Sequence, residues 1–349
     1  MPSITKPVVP LAPLRRNDLG LTPRDYDGAM STLCAGCGHD SVTAALMQAL
    51  FELNLEPHKV AKLSGIGCSS KTTAYFAGKA HGFNSVHGRM PAIATGAIAA
   101  NRDLHYVGVS GDGDSLSIGL GHLVHAVRRN VRMLYVIDNN GVYGLTKGQF
   151  SASADLGSTS KKGEANSFAP IDPLQLALSV GATFVARGFS GDKQRLVPLL
   201  KAGLMHRGLA LVDVISPCVQ FNDHEGSTKS YKFVREHEVA VSDVVMPREQ
   251  ISAHVPDVGV LDVPMHDGTV MRFRSVPPGY DPTDRGAAAQ FLQERHAAGE
   301  VVTGLVFADD RVPDLHELSR TPPEPLAQLP YERLCPGAEA LATLQDSFR

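Results

Sequence analysis

Over the first two-thirds of the chain, apolar positions alternate between two periods. Short unbroken apolar runs, as in strands covered on both faces, are followed by segments whose apolar residues recur every three or four positions, as in helices with one covered side. The clearest instance is Leu104 to Tyr143. It holds an apolar run (Tyr106 to Val109), a Gly-Asp-Gly-Asp turn, a helical stripe of Leu116, Leu120, Leu123, Val124 and Val127, and a second apolar run ending Ile137-Asp138-Asn139-Asn140. Strand, helix, strand predicts a crossover with parallel strands, about 4.8 Å apart if they are neighbours. The same reading predicts a helix from about Asp40 to Leu53 (Val42, Leu46, Leu50, Leu53) and a strand at Lys59 to Leu63. It continues with a helix from Pro173 capped by Asp172, a strand at Thr183 to Ala186, a helix at Lys193 to His206 interrupted by Pro198, and a strand at Leu209 to Ile215. The expected fold class is α/β, a parallel sheet flanked by helices.

Two stretches break the alternation. Residues 1–29 carry several prolines and read as an extended arm. From about Met246 short β-like runs alternate with Pro and Gly turns, followed by one amphipathic helix at Asp284 to Gly299 (Ala288, Phe291, Leu292) and a proline-rich tail. The expected organisation is an arm (1–29), a catalytic domain (30–245), and an extension (246–349) that packs on the core or on a partner subunit.

Composition narrows the class. The 349 residues are 43% hydrophobic and 20% charged with net charge -3, and no Lys/Arg run supplies a nucleic-acid surface. No stretch reaches the ~20 apolar residues of a membrane span, and the start lacks the apolar core of a secretory signal, so the cytoplasm is the expected compartment.

Chemistry enters at the carboxyl edge of the expected sheet, where ligands of open α/β sheets bind. The crossover brings Asp112 and Asn140 together there. With a backbone carbonyl just beyond, they form a hard, all-oxygen set suited to Mg²⁺ that also holds phosphate oxygens. Gly111 and Gly113 keep the backbone open to a phosphate. Cys34 and Cys37, in Cys-Ala-Gly-Cys-Gly-His, read alone as a redox dithiol, a zinc half-site or an iron-sulfur half-site. Cys68 and Cys218 each follow a strand that ends at the same edge. Four thiols at one place fit a 4Fe-4S cluster or a closed Cys₄ zinc site. Cys335 has no partner near it in sequence.

Taken in order, Cys-x-x-Cys-Gly-His, Gly-Ile-Gly-Cys (65–68), His-Gly-Arg (87–89), GDGD...DNN, Tyr-Gly-Leu-Thr-Lys-Gly-Gln (143–149) and Ser-Pro-Cys (216–218) resemble the β subunit of 2-oxoacid:ferredoxin oxidoreductases, most of all the 2-oxoglutarate enzymes. The resemblance covers roughly residues 30 to 240. It implies thiamine diphosphate, with Mg²⁺ held by Asp112, Asn140 and the Val142 carbonyl, and one 4Fe-4S cluster on Cys34, Cys37, Cys68 and Cys218. It implies cofactor contacts from Gly65, Ile66, Gly67, Cys68, Ser69, His87, Gly111, Asp112, Gly113, Asp114, Asn140, Val142, Gly144, Leu145 and Thr146. His87, Arg89 and Lys147 are the residues it offers for substrate or catalysis, Lys147 toward a distal carboxylate. The implied reaction converts 2-oxoglutarate and coenzyme A to succinyl-CoA and CO₂, reversibly in principle, with electrons passing to the cluster and then to ferredoxin. An α subunit, in an α₂β₂ assembly, is implied to supply the aminopyrimidine-binding domain and its activating carboxylate, because no second α/β domain is legible here. Pyruvate or another 2-oxo acid as substrate, a non-redox 2-oxoacid decarboxylase subunit, and a zinc-stabilised binding subunit are the alternatives. The loop from Tyr143 to about Ser167 is expected to lie over the cofactor, and His122 and His125 to be structural.

Overall fold

The computed structural model describes residues 14–160, 162–241, 260–264, 270–274 and 280–349. In chain order they form α1 (Gly38–Glu52), β1 (Val60–Ser64), α2 (Cys68–Thr72), β2 (His81–Asn84), α3 (Met90–Ala100), β3 (His105–Gly111), a π-helical turn (Gly113–Ile118), α4 (Leu120–Arg128) and β4 (Met133–Asn139). A small hairpin follows, β5 (Val142–Tyr143) and β6 (Gln149–Phe150), then α5 (Pro173–Ser179), β7 (Phe184–Phe189), α6 (Lys193–Met205), β8 (Leu209–Ile215), α7 (Tyr231–His237) and β9 (Glu238–Ala240). The remainder gives a hairpin of β10 (Val260–Pro264) and β11 (Val270–Arg274), α8 (Arg285–Ala297), β12 (Val301–Ala308), α9 (Leu315–Ser319), α10 (Tyr331–Leu334) and α11 (Gly337–Asp346).

Eight strands make one sheet in the order β2-β1-β3-β4-β8-β7-β12-β9. From β2 to β7 every pairing is parallel. Alternation along each strand feeds two cores. Leu134, Val136, Val212 and Val214 face α1 and α6; Met133, Tyr135, Ile137, Leu209 and Leu211 face α3, α4, α5 and α8. Burial on both faces is why these strands read as continuous apolar runs.

Four expectations are corrected. The helix after the GDGD turn is not continuous: a π-helical turn ends at Gly119 and α4 starts afresh, and such single π turns gather at functional sites. Pro198 does not interrupt α6, which runs through it. The buried Leu196, Val197, Leu199, Leu200 and Leu204 on that helix offset the roughly 3 kcal/mol cost of an interior proline. Residues 14–29 are not an extended arm. Tyr26 is fully buried, meets the Phe51 ring edge-on at 5.9 Å and donates to the Leu55 carbonyl (2.8 Å); the arm expected at 1–13 lies outside the described residues. Finally, the extension, expected to pack on the core, also supplies a strand of the sheet itself. β12 pairs antiparallel with β7 and parallel with β9, so the boundary expected at 245/246 falls between sheet neighbours. In α8, Ala288, Phe291 and Leu292 are buried against that core.

Candidate active site

Parallel pairing of β1, β3, β4 and β8 brings four strand ends to one edge, and the chain beyond β1, β2, β3 and β4 lines a cavity of about 320 Å³. Every residue that the sequence offers as a cofactor contact lines it, from Gly65 to Ser69, His87, Gly111 to Asp114, Asn140, Val142 and Gly144 to Thr146. His39, Asn84, Asp138 and Tyr143 line it as well. Arg89 and Lys147 are not among the lining residues. Arg89 is exposed with its guanidinium against His122, and Lys147 is an exposed turn residue whose φ of +80° lies in the left-handed region.

The oxygen donors expected to hold Mg²⁺ are assembled by the turn after β4. Gly141 takes a φ of +74°, which a side chain would strain, and so aims its N–H at Asp112 Oδ2 (3.1 Å). Asn140 Oδ1 accepts from the Val142 N–H (3.1 Å), and the Asn140 carbonyl accepts from Asn222 Nδ2 (2.8 Å). Asn222 belongs to the Phe-Asn-Asp-His stretch after Cys218, to which sequence alone assigns no role. Asp112 is buried, with Ser151 Oγ and Ser153 Oγ also donating to Oδ2, the latter at 2.5 Å. Burial pushes its carboxyl above the usual carboxylate range, and these hydroxyls and Lys229 pull it back. All three of these contacts fall on Oδ2 and none on Oδ1. Of the segment expected to cover the cofactor, residues 143–146 border the cavity, while Ser151 and Ser153 are buried and brace Asp112.

Asp114, the second acid of GDGD, accepts from the Gly88 N–H (2.7 Å) and from Ser110 Oγ (2.7 Å), clasping the His-Gly-Arg loop to the sheet edge. Gly65 permits this: a Cβ there would stand 1.6 Å from Asp114 Oδ2. Thr146 donates to Gln149 Oε1 (2.6 Å) across the small hairpin.

The thiols gather at the same edge. A Cβ on Gly144 would lie 3.5 Å from Cys218 Sγ and 3.7 Å from Cys68 Sγ. Cys37 feels the charges of Cys218 and Cys68, and Cys34 acts on both of those, so the four share one neighbourhood. Burial pushes the Cys37 thiol up to about 12 and also raises Cys68 and Cys218, the reverse of what a reactive redox dithiol needs. A Cys₄ zinc site would draw its sulfurs to about 3.8 Å of one another around Zn–S bonds of 2.3 Å. Among the described residues no three His, Cys, Asp or Glu are close enough to hold a single metal ion. As a donor set, four thiols brought from three loops fit a cubane, which takes one thiolate per iron at separate corners, as well as a closed Cys₄ zinc site. Cys335 is exposed in the C-terminal segment.

Beside both the thiols and Asp112 lies a feature the sequence did not disclose. Asp138 is fully buried with both carboxyl oxygens unpartnered, its Oδ2 3.8 Å from His39 Nδ1. Desolvation, then the neighbouring Asp112, hold this carboxyl well above its ordinary range, and burial lowers His39 to about 4. Burial therefore favours the neutral form of both groups. His39 Nδ1 shares a hydrogen bond with Ser216 Oγ (2.6 Å).

Comparison with known proteins identifies the family. Residues 65–214 match the family model described as thiamine pyrophosphate enzyme, C-terminal TPP binding domain. The fold and this match define the chain as a thiamine diphosphate-binding enzyme domain. The chain is 45% identical over 199 residues to the 2-oxoacid:ferredoxin oxidoreductase subunit beta of Saccharolobus solfataricus, covering 57% of this chain and 65% of that one. It is 32% identical over 236 residues to the 2-oxoglutarate synthase subunit KorB of Methanocaldococcus jannaschii, covering 66% and 87%. A solved structure, the 2-oxoglutarate:ferredoxin oxidoreductase from Magnetococcus marinus with 2-oxoglutarate, coenzyme A and succinyl-CoA bound, aligns with a TM-score of 0.70 at 31% identity over 86% of this chain and 89% of that one. The chain belongs to the β-subunit family of 2-oxoacid:ferredoxin oxidoreductases. The match to the Saccharolobus subunit spans a little under two-thirds of that protein's length. Among the described residues no helix is long and apolar enough to cross a membrane.

Proposed function

We propose that this chain is the cofactor-bearing subunit of a 2-oxoglutarate:ferredoxin oxidoreductase. The observation that carries the reading is adjacency: Cys68 lines the cavity, and a Cβ on Gly144, two residues after Val142, would lie within 3.7 Å of both Cys68 and Cys218. When bound, thiamine diphosphate with Mg²⁺ supplies the chemistry of 2-oxo acid decarboxylation, and a 4Fe-4S cluster on Cys34, Cys37, Cys68 and Cys218 takes up electrons singly. Asp112 and Asn140 side chains and the Val142 carbonyl hold the metal, and the open backbone at Gly111 and Gly113 admits the diphosphate. The glycine-rich loop from Gly65 to Cys68 reaches both centres, which keeps the electron path short.

The partner is a separate α subunit. Leu145 on the cavity wall is 55% exposed and Val86, between the lining residues Asn84 and His87, is 68% exposed, an apolar rim that suits a covering chain. Coenzyme A is the acyl acceptor and ferredoxin the electron acceptor. His87, exposed and lining the cavity, is assigned to cofactor or substrate contact; Arg89 acts on the fold of its loop through His122.

Lys147, one residue past Thr146 on the rim, is the cation we assign to the distal carboxylate of 2-oxoglutarate. Lys147→Ala should raise the KM for 2-oxoglutarate by about tenfold or more, the worth of one hydrogen bond to a charged group, and leave weak turnover of pyruvate unchanged. Steady-state ferredoxin reduction with both acids tests this. An equal loss on the two acids, or none on either, removes Lys147 from substrate selection.

A further inference from the structure

Alternation along β4 sends Asp138 toward α1 and Asn139 toward α5 and α8. On the latter side, sheet register sets Arg187 of β7 beside Asp213 of β8, and Asp213 beside Ile137 of β4, two residues before Asn139. The polar groups so aligned join end to end. Arg187 donates from Nη2 to Asp172 Oδ2 (2.9 Å) and from Nε to Asp213 Oδ2 (2.7 Å). Asn139 Nδ2 donates to Asp213 Oδ1 (2.9 Å), and Asn139 Oδ1 meets Ser153 Oγ at 2.8 Å. Ser153 Oγ then reaches Asp112 Oδ2. Asp213 is fully buried, and Asn139, Ser153 and Asp112 nearly so.

Burial of so many polar groups in one line is costly unless each is oriented by the next. A carboxylate paired with arginine has no hydrogen to give, so Asp213 holds the Asn139 amide with its NH₂ toward itself. That turns the amide oxygen to Ser153, whose single hydrogen is shared between Asn139 Oδ1 and Asp112 Oδ2 in a three-centre bond, and so fixes where the hydroxyl stands against Asp112. Ser153, Ser151 and the Gly141 N–H together set the carboxylate's rotation, with none of the three on Oδ1.

We propose that Asp213, anchored by Arg187, is a positioning residue for the Mg²⁺ ligand Asp112, acting through Asn139 and Ser153. The inference rests on the reading of Asp112 as a Mg²⁺ ligand and adds residues that lie outside the cofactor cavity. Its effect is on cation affinity. Partners of metal ligands are typically worth ten- to a hundredfold in affinity, so Asp213→Asn should raise the half-saturating Mg²⁺ for thiamine diphosphate binding by about tenfold.

The test uses the complex of this chain with its α subunit, stripped of Mg²⁺ and thiamine diphosphate by chelation and dialysis, and titrated calorimetrically with thiamine diphosphate at a series of Mg²⁺ concentrations. Asp213→Asn and Ser153→Ala should each shift the Mg²⁺ requirement by about tenfold, and the double variant by no more than the larger single, because both cut one chain. Iron content should stay at the wild-type level in all three. Shifts that multiply to about a hundredfold in the double variant, or an Asp213→Asn complex with the wild-type requirement, overturn the proposal. If Asp213→Asn does not fold, Arg187→Lys keeps the charge but gives up the two-pronged grip, and an unchanged Mg²⁺ requirement there is equally decisive against it. Failure of the underlying reading looks different: the wild-type complex itself would bind thiamine diphosphate without Mg²⁺, or not at all.

Discussion

Serine in place of Cys68 yields a complex whose visible absorbance is gone and whose 2-oxo-acid-dependent electron transfer has fallen at least about a hundredfold, since loss of a ligand exceeds the loss typical of removing a ligand's hydrogen-bond partner. Cys68 opens α2 directly after the glycine-rich loop, and its sulfur lies near Cys218 across Gly144. A serine oxygen is a poorer ligand for iron at that corner, and the burial that raises Cys68 also disfavours an unligated anion there. Assays of iron and acid-labile sulfide on the purified complex check the outcome. Thiamine diphosphate binding should persist in this variant, because none of the Mg²⁺ donors is altered. Retention of a full complement of iron would remove Cys68 from the cluster.

The reciprocal change is Asp112→Ala. It removes the carboxylate on which Gly141, Ser151 and Ser153 converge, so the Gly141 N–H and the Ser151 hydroxyl lose their acceptor along with the metal ligand, while Ser153 keeps Asn139 Oδ1. Mg²⁺-dependent thiamine diphosphate affinity should fall by at least about a hundredfold, as for any direct ligand, and the fold should lose about 1–3 kcal/mol from the unpaired buried donors. Calorimetric titration gives the first quantity and thermal unfolding the second. The cluster should remain, with its iron and colour intact. Loss of colour and cofactor binding together would instead indicate collapse of the whole edge, and unchanged binding would exclude Asp112 from the metal.

Much of this edge was legible because its chemistry sits at fixed positions after buried strands. The run Leu209 to Ile215 and the run ending at Asn139 were readable as strands because both faces are covered, and their ends carry Cys218 and Asn140. The thiols and the oxygen donors could therefore be placed at one edge from order alone. What escaped were contacts that depend on long-range register or on local backbone detail. Ser151 and Ser153 sit in a polar segment without period, and nothing local says that they turn inward to Asp112. The break at Gly119 hid within an unbroken apolar stripe, because a π turn advances the pattern by little more than a helical turn does. Strand β12 was masked by the irregular sequence before it, although the eight residues Val301–Ala308 are an apolar run like the others. One signal for the Arg187–Asp213–Asn139 line was available: Asp213 and Arg187 are charges inside otherwise apolar strands, and a charge on a buried face requires a partner. Asp138 carried the same signal, and its neighbour proved to be His39 from the Cys-Gly-His motif.

The claim on which the rest depends is that the thiamine site and the four-cysteine site are one centre that exchanges electrons. Anaerobic mixing of the co-purified two-subunit complex with 2-oxoglutarate, with and without coenzyme A, while following the visible cluster absorbance, tests it most directly. The account predicts bleaching by 2-oxoglutarate that accelerates when coenzyme A is present. A cluster that stays oxidised with every 2-oxo acid tried, or a complex that contains no iron, would contradict it.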